Sequence, residues 1–381
     1  MTSQKHLFQL PEDIHYLNGA YMSPLLKSVE ETGIAAIARK RNPFTIKPAD
    51  FFHEPEQVKK NFGRLINGKP EQVAIIPSAS YGLKSATINI PAQRGTHAIT
   101  VADEFPSGFY SISEWCQANK KELKIIKPPN SLEKRGKQWN ENLLNEINTE
   151  TAAVLISSIH WTDGTLFDLR KIGERCREVN ALFIVDGTQS VGALPIDVTA
   201  YKIDALICAA YKWLLGPYSI GLAYYGDAFE SGKPIEDSWL NRLNAEDFTK
   251  LTSYEDSYRA GAARFSMGEN SNFILLPMLH KALDQIQEWG VPSIQDYSTE
   301  LIQPLSLFLR DKNFWMEEPA FRADHLFGFL LPRHIDKHIL LQQLHDSNLI
   351  VSLRGDAIRV STHIYNTRND IDRLMEVLQN Q

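Results

Sequence analysis

Residues 181–226 read ALFIVDGTQSVGALPIDVTAYKIDALICAAYKWLLGPYSIGLAYYG, and this stretch decides the fold. Its two short apolar runs predict buried strands. The first run covers residues 181–185 and stops at Asp186. The second covers residues 205–208 and stops shortly before Lys212. In open α/β sheets the chemistry collects beyond the carboxyl ends of the strands, so we expect Asp186 and Lys212 to be neighbours.

A lysine and an aspartate at such a sheet edge suit pyridoxal 5′-phosphate (PLP). The lysine forms a Schiff base with the PLP aldehyde, and the carboxylate keeps the pyridine nitrogen protonated. Each residue also has a plainer interpretation. Alone, Lys212 is typical of a surface lysine that follows a strand, and Asp186 of a turn cap. Their combination favours catalysis with PLP as the cofactor.

From about residue 70 onward, short apolar runs alternate with helical patterns. The runs predict seven strands, at residues 73–76, 98–101, 123–126, 153–157, 182–185, 205–208 and 222–225. Strands that alternate with helices indicate βαβ units and a mostly parallel sheet. We expect a PLP-binding large domain over residues 16–270. A smaller α+β domain is expected from residues 1–15 together with residues 271–381.

The composition argues against several classes of protein. The formal net charge of −6 disfavours nucleic acid as a partner. No apolar run approaches the roughly 20 residues of a membrane helix, and the N-terminus lacks an apolar signal core. The three cysteines form no CxxC pair, which indicates a reducing compartment. We therefore expect a cytoplasmic protein that binds neither nucleic acid nor membranes, and we predict no metal site.

The segments VDGTQSVGALPIDV and DALICAAYKWLLGPYSIG resemble the cofactor motif of the fold-type I, class V aminotransferase-like PLP enzymes. That group includes kynureninases, cysteine desulfurases and isopenicillin N epimerase-like proteins. The resemblance extends in pieces over most of the chain. It implies an α/β fold, with a three-layer α/β/α PLP-transferase large domain around a seven-stranded sheet. It also implies that Lys212 binds PLP, Asp186 pairs with the pyridine nitrogen and Gln189 faces the ring hydroxyl.

Two further segments concern the phosphate of PLP. IIPSASYGLKSA predicts a strand, small residues and a helix start, which is an arrangement that binds phosphate. Ala79 and Ser80 match the phosphate loop of the family, although Ser-Ala-Ser alone is typical of a helix cap. Tyr211 resembles the kynureninase arrangement, and the resemblance implies that its phenol donates to the phosphate.

One segment resembles a contact between subunits. RFSMGENSNF is similar to the loop that crosses to the partner subunit's phosphate in this dimeric family, so the resemblance implies a homodimer. Glu269 stands where a phosphate-contacting threonine is often found. Because a glutamate cannot donate to phosphate, Asn270 or Ser271 would take over that contact.

Two segments resemble those that flank the cofactor ring. In ADEFPSGFYSISEW, Phe105 matches the aromatic residue that stacks on the ring, and its alternative is a core phenylalanine. In SSIHWTDGT, Trp161 falls on the ring-hydroxyl side where many relatives have asparagine. The neighbouring His160 is equally consistent with a structural histidine.

Substrate recognition points to Arg359 and Asn18. AIRVSTHIYNT resembles the family segment whose arginine grips the substrate carboxylate, and a planar guanidinium meets a carboxylate in two parallel bonds. Outside that motif Arg359 would be assigned to a surface ion pair. Asn18, in YLNGAYMSP, matches the N-terminal segment that reaches into the substrate pocket.

The resemblance determines the cofactor better than the reaction. Desulfurases need a cysteine shortly before the carboxylate-binding arginine, and NLIVSLRGDAIRVS contains none. We expect an α-amino acid or similar molecule as substrate, with aminotransferase or epimerase chemistry ahead of a kynureninase-like hydrolase or another Cβ-cleaving lyase. A non-catalytic binding subunit of the same fold is the alternative from another class.

Overall fold

The computed structural model describes residues 1–380 of the chain. The helices are α1 Lys27–Arg39, α2 Asp50–Leu65, α3 Ala79–Ile88, α4 Pro106–Ala118, α5 Arg135–Glu146, α6 Leu169–Glu178, α7 Leu275–Trp289, α8 Val291–Asp311, α9 Lys337–Asp346 and α10 Arg368–Gln379. The strands are β1 His15–Tyr16, β2 Val73–Ile76, β3 His97–Val101, β4 Glu122–Ile126, β5 Thr151–Ser157, β6 Leu182–Asp186, β7 Ala205–Ala209, β8 Gly221–Tyr225, β9 Trp315–Met316, β10 Leu326–Leu330, β11 Leu349–Ile350, β12 Ser352–Arg354 and β13 Ala357–Ser361.

Within residues 1–380, the large sheet has seven strands in the order β2-β8-β7-β6-β5-β3-β4. Strand β8 runs antiparallel to both of its neighbours, and the other pairs are parallel. These are the seven strands that the apolar runs predict, with ends shifted by at most two residues. The mostly parallel sheet is therefore confirmed.

Helices cover both faces of this sheet. Alternate residues of a strand point to opposite faces, and β2 shows this division. Val73 and Ile75 pack in one hydrophobic cluster with residues of α2, α5, α6 and α7. Ala74 and Ile76 pack in another with residues of α3 and α4. The three-layer α/β/α architecture is confirmed.

Helix α3 lies close against the sheet because of Gly82. A Cβ atom at this position would stand 2.7 Å from Ile76 Cδ1 and 2.9 Å from Ile207 Cγ2. The helix begins directly after β2, and Ser78 caps it by accepting a hydrogen bond from the Tyr81 backbone N–H at 3.2 Å. This packing brings the N-terminus of α3 to the carboxyl end of the sheet.

A second, antiparallel sheet in the order β12-β13-β10-β9 lies in the C-terminal part of the chain. Its hydrophobic cluster includes residues of α8, α9 and α10. The N-terminal β1 pairs with β11 in parallel. Helix α7 packs against α1 and α2 instead, and the domain division near residue 270 stays a prediction. In the described range, 1–380, no helix has the length and apolar character to cross a membrane.

Candidate active site

A cavity of about 280 Å³ opens beyond the carboxyl ends of the large sheet. Its walls come from the loops after β2, β3, β5, β6 and β7. It is lined by Pro77, Ser78, Ala79, Ser80, Phe105, Ser107, Ser157, Trp161, Asp186, Thr188, Gln189, Ala209, Tyr211, Lys212, Tyr218, Ser219 and Ile220. We call it the cofactor cavity.

A second cavity, of about 340 Å³, adjoins the first and shares six residues of its wall. The added wall comes from the N-terminal segment and from the β12–β13 hairpin. It is lined by Ala20, Tyr21, Met22, Phe105, Trp161, Gln189, Tyr211, Lys212, Tyr218, Arg354 and Arg359. We call it the substrate cavity.

Asp186 and Lys212 face the cofactor cavity together. Asp186 ends β6, and Lys212 follows the end of the neighbouring β7. Both are buried, with 5% and 7% of their surface exposed. The described contacts include no ion pair between these two side chains, and both line the same cavity of about 280 Å³.

Burial acts on both charged groups. It lowers the pKa of the Lys212 amine to about 8, and the nearby Asp186 carboxylate opposes that shift. It also raises the pKa of Asp186, against the hydrogen bond from Thr188 and the charge of Lys212. The Thr188 backbone N–H donates to Asp186 Oδ1 at 2.9 Å and holds the carboxylate in place. A cationic partner in the cavity would stabilise the ionised form of this buried carboxylate.

Gln189 is held on two sides. Its Oε1 accepts from Trp213 Nε1 at 2.9 Å, and its Nε2 donates to the Ala20 carbonyl at 3.2 Å. The Gln189 carbonyl also contacts His325 Nε2 at 2.8 Å. Sequence reasoning missed Trp213, although it follows Lys212 directly. Gln189 lines both cavities, and these hydrogen bonds fix the orientation of its side chain.

Two helix N-termini meet at the end of the cofactor cavity. Ala79 and Ser80 are the first residues of α3, and Ser107 lies in the first turn of α4. The hydroxyls of Ser80 and Ser107 are 2.8 Å apart. Unpaired N–H groups and hydroxyls at helix N-termini are an anion site. Sequence reasoning missed Ser107, which the Pro-Ser-Gly start of α4 could have indicated.

Phe105 and Trp161 form an aromatic wall between the two cavities. Their rings meet edge to face with centroids 5.6 Å apart. Lys212 Nζ lies 5.8 Å from the Phe105 centroid. Phe105 is 37% exposed, which rules out the core alternative. Its stacking on a cofactor ring stays a prediction.

Glu104 is a buried acid that holds Phe105 in place through hydrogen bonds. Sequence reasoning missed this residue. Its carboxylate accepts from the Phe105 N–H at 2.7 Å, the Ser157 N–H at 2.6 Å and the Ser157 hydroxyl. Burial and the nearby Asp186 raise the pKa of Glu104. An acid directly after a strand, in ADEFPSG, was the available signal. These bonds tie the loop after β3 to the end of β5.

His160 is a structural histidine. It is buried beside Trp139, with ring centroids 5.0 Å apart. Its Nδ1 lies 3.4 Å from the Asp163 carboxylate, and its Nε2 contacts the Ala102 carbonyl at 3.2 Å. The contact with Asp163 raises the pKa of His160 against the effect of burial. It does not line either cavity.

Tyr211 lines both cavities and contacts the tilted ring of Tyr218, with ring centroids 4.6 Å apart. Burial raises the pKa of the Tyr211 phenol. The phenol therefore stays protonated and available as a hydrogen-bond donor. Its predicted contact with a phosphate stays a prediction.

Arg359 lies on β13 and is only 2% exposed. Its Nη1 donates to the Trp161 carbonyl at 2.8 Å, and its Nε is buried without a hydrogen-bond partner. The described residues give it no carboxylate, which rules out the surface ion pair. Burial and the nearby Arg354 lower the pKa of Arg359 to about 9. A buried guanidinium without an acidic partner is available to bind an anionic ligand.

Asn18 lies beneath the substrate cavity. Its Oδ1 accepts from the Ser352 hydroxyl at 2.6 Å, and Ser352 is the cross-strand partner of Arg359. Asn18 itself is outside the described lining of both cavities. Its placement supports β12 more directly than it reaches a ligand, so substrate contact stays a prediction.

Asn270 and Ser271 are not brought to either cavity of their own chain. The Asn270 side chain donates to Asn241 Oδ1 and to the Met267 carbonyl, each at 3.2 Å. The Ser271 hydroxyl donates to the Phe51 carbonyl at 2.6 Å. The contact predicted for these two residues would be made with the phosphate in a partner subunit, and it stays a prediction.

The groups around the cofactor cavity fit PLP. A buried carboxylate, Asp186, suits a protonated pyridine nitrogen, and the buried amine of Lys212 suits an aldehyde. The N-terminus of α3 suits a phosphate. Each of these groups meets the same cavity.

Comparisons with known proteins agree with this fit. The sequence model of the family described as aminotransferase class-V matches residues 47–374. An uncharacterised aminotransferase of Bacillus subtilis, YcbU, is 25% identical over 317 residues, which are 83% of this chain and 80% of the relative. A kynureninase of Shouchella clausii is 22% identical over 397 residues, 98% of this chain and 89% of the relative. The apo cysteine desulfurase of Thermococcus onnurineus shares the fold with a TM-score of 0.84 at 18% identity, covering 100% of this chain and 98% of that one.

Proposed function

This chain belongs to the class-V aminotransferase family, and we propose that it removes the Cα proton of an α-amino acid and transfers the amino group. It is an enzyme of the PLP-dependent class V superfamily. The observation that carries the proposal is the buried pair of Lys212 and Asp186 in one cavity. Arg359 supplies a carboxylate-binding group in the adjoining cavity.

The cofactor is pyridoxal 5′-phosphate. When bound, it supplies an aldehyde that links to amines and an electron-withdrawing ring that weakens the bonds at Cα. Lys212 would hold the aldehyde end, and the Asp186 carboxylate would keep the ring nitrogen protonated. Gln189 would face the ring hydroxyl. The N-terminal groups of α3, at Ala79 and Ser80, would hold the phosphate.

Lys212 is suited to moving a proton at Cα. With its pKa lowered to about 8, roughly one amine in ten is neutral at pH 7, against about one in two thousand for an ordinary lysine. When it is not attached to the cofactor, the neutral Lys212 amine would accept the proton, and the resulting ammonium would return it. The burial of Lys212 therefore provides the general base that the reaction needs.

Lys212 alone supplies the acid–base group that transamination requires. Transamination needs one acid–base group at Cα, whereas epimerisation needs a second group on the opposite side. Phe105 has no titrating group, and the Trp161 indole N–H is already donated to the Asp103 carbonyl at 2.8 Å. The Tyr211 phenol is the available second acid, and it makes epimerisation the second function to test.

Other reactions have weaker support. The Cys116, Cys176 and Cys208 thiols are buried, and the described residues place none of them in a cavity wall. Burial raises the pKa of Cys116 to about 11 and raises the other two as well. This argues against desulfuration. A kynureninase-like hydrolase or another Cβ-cleaving lyase ranks below transamination. A non-catalytic binding subunit would have no need of Lys212, Asp186 and Arg359 together.

The first test of the proposal is the cofactor linkage. The visible spectrum of the purified protein would be recorded before and after borohydride reduction, followed by peptide mapping. We expect a visible band that disappears and leaves a phosphopyridoxyl group on Lys212. A colourless protein that takes up no added PLP would favour the binding-subunit alternative.

The second test separates the reactions. The PLP-loaded enzyme would be incubated with L-amino acids and a 2-oxo acid acceptor in D₂O. Transamination gives a new oxo acid, epimerisation gives the D-isomer with deuterium at Cα, and hydrolytic cleavage of kynurenine releases alanine. Alanine release as the fastest reaction would contradict the proposed order.

We also propose a homodimer in the cytoplasm. Asn270 and Ser271 lie outside the cavities of their own chain, as a contact made across a subunit interface requires. The mass of the protein in solution, measured by sedimentation, tests this directly. A monomer that is fully active would contradict it.

A further inference from the structure

We propose that Arg354 is a specificity-determining residue that binds a second anionic group of the substrate. The substrate class is then an α-amino acid with a carboxylate on its side chain. This inference rests on the proposed function, since Arg359 is taken to hold the α-carboxylate. Three observations support the inference. They are the register of the β12–β13 hairpin, the positive charge of the substrate cavity and the contacts of Trp161 with both arginines.

The β12–β13 hairpin places both arginines on one face of the sheet. Ser352 pairs with Arg359, and Arg354 pairs with Ala357. Residues two apart on a strand share a face, and cross-strand partners do as well. Arg354 and Arg359 are therefore diagonal neighbours in this ladder. A two-residue turn with Gly355 at φ +57° holds Arg354 at the end of its strand.

Three cations line the substrate cavity, and two of them, Arg354 and Arg359, have no acidic partner among the described residues, whereas Lys212 has Asp186 nearby. The described lining of this cavity includes no acidic residue. The ion pairs of the described chain, residues 1–380, include neither arginine. The Nε atoms of both arginines are buried without hydrogen-bond partners. A single α-carboxylate would satisfy one guanidinium and leave the other uncompensated.

Trp161 holds both arginines at once. Its backbone carbonyl accepts from Arg359 Nη1 at 2.8 Å, and its ring lies 5.8 Å from the guanidinium carbon of Arg354. The indole N–H donates to the Asp103 carbonyl at 2.8 Å, which fixes the ring. A guanidinium over an indole face is a favourable contact that does not use its N–H groups. Arg354 Nη1 donates to the Leu353 carbonyl at 2.9 Å, and the remaining N–H groups are available to a ligand. Arg354 is therefore positioned before any ligand arrives.

Two guanidiniums in one cavity offer positions for two carboxylates. Diagonal neighbours in an antiparallel pair lie roughly 7–8 Å apart between their Cα atoms, so Arg354 and Arg359 reach into the cavity from separate ladder positions. Each guanidinium can pair bidentately with a carboxylate of its own. Dicarboxylic amino acids with short side chains, such as aspartate, glutamate and 2-aminoadipate, offer one carboxylate to each arginine.

The test compares acids with matched neutral analogues on the PLP-loaded enzyme. Spectral titration would give dissociation constants for glutamate against glutamine, aspartate against asparagine and 2-aminoadipate against norleucine. We expect the best acid to bind about 10- to 100-fold more tightly than its analogue, since a hydrogen-bonded charge pair is lost in the analogue. The R354Q variant should abolish this preference, and R354K should restore part of it. The R359Q variant should weaken acid and analogue alike.

The exposed Arg41 provides a matched control, because R41Q removes the same charge outside the lining of both cavities and should keep the preference. Equal binding of acids and analogues by the unaltered enzyme would overturn the inference and leave the proposed function standing. A preference that survives in R354Q would overturn the assignment to Arg354. A spectrum that responds to no amino acid would overturn the proposed function and this inference with it.

A second readout does not depend on the reaction. Glutarate, a dicarboxylate without an amino group, should raise the melting temperature of the PLP-loaded enzyme more than butyrate does. This difference should vanish in R354Q. Equal shifts with both compounds in the unaltered enzyme would contradict a second anion-binding position.

Discussion

The cofactor cavity and the substrate cavity share a wall but differ in charge and in origin. The cofactor cavity lies at the edge of the large sheet and pairs an acid, Asp186, with a base, Lys212. The substrate cavity adds the β12–β13 hairpin and the N-terminal segment, and its charged residues are all cations. A buried carboxylate and amine support the same proton-transfer chemistry on many substrates. Guanidiniums without acidic partners select substrates that carry a negative charge. In the proposed function, the first cavity would therefore hold the cofactor, and the second would select the substrate.

The largest effect is expected where the two cavities meet, at Lys212. In K212A, turnover should fall by about 10⁴-fold, because the variant loses both the covalent attachment of PLP and the general base. Rate assays and borohydride labelling would measure the two losses separately. Circular dichroism should match that of the unaltered protein. Turnover within tenfold of that protein would show that another residue moves the proton.

The next effect belongs to the cofactor cavity alone. In D186N, turnover should fall by about 10³-fold, because a neutral amide no longer favours a protonated ring nitrogen. The amide oxygen can still accept from the Thr188 N–H, so the local structure should persist. Borohydride should still label Lys212. A variant with lower substrate affinity and unchanged turnover would contradict this separation of the cavities.

The corresponding change in the substrate cavity is R359Q. We expect KM for the amino acid to rise by about 100-fold, since a charge-assisted bidentate contact is lost. The visible band of the bound cofactor should persist in R359Q, because Arg359 lines only the substrate cavity. Loss of that band would show that cofactor binding depends on Arg359.

The smallest effect concerns pH. Because the pKa of Lys212 is lowered to about 8, its neutral fraction rises as pH increases through that value. The rate of PLP uptake by the cofactor-free protein should therefore rise by about fivefold between pH 7 and pH 8 and level off near pH 9. Stopped-flow absorbance would record it. A rate that keeps rising tenfold per pH unit up to pH 10 would indicate an ordinary lysine.

The sequence predicted the cofactor cavity better than the substrate cavity. Asp186, Gln189, Tyr211 and Lys212 lie within one continuous motif, and the alternation of strands and helices places that motif at the sheet edge. Glu104 was missed because a buried acid after a strand looks like a turn residue in sequence. Its role depends on Ser157, which is far away in the chain and close only in the folded sheet.

Arg354 is a second residue whose role could not be predicted from the sequence, because it depends on contacts made only in the folded chain. The segment NLIVSLRGDAIRVS attracted notice only for its missing cysteine. The arginine became meaningful once β12 paired with β13 in a register that set it beside Arg359. The Trp161 contact then oriented both guanidiniums. Asn18 was expected at the ligand, but its side chain is engaged with Ser352.

The sequence by itself determined the large sheet, the family and the cofactor-binding motif. These depend on local periodicity and on residues close together in the chain, which short-range patterns record. Only the tertiary structure decided which cations share the substrate cavity, which hydroxyls meet at the two helix N-termini, and how far Lys212 is buried. Burial, cross-strand register and the absence of a nearby counterion depend on segments that are distant in sequence. These features carry the proposal that the substrate bears a second negative charge.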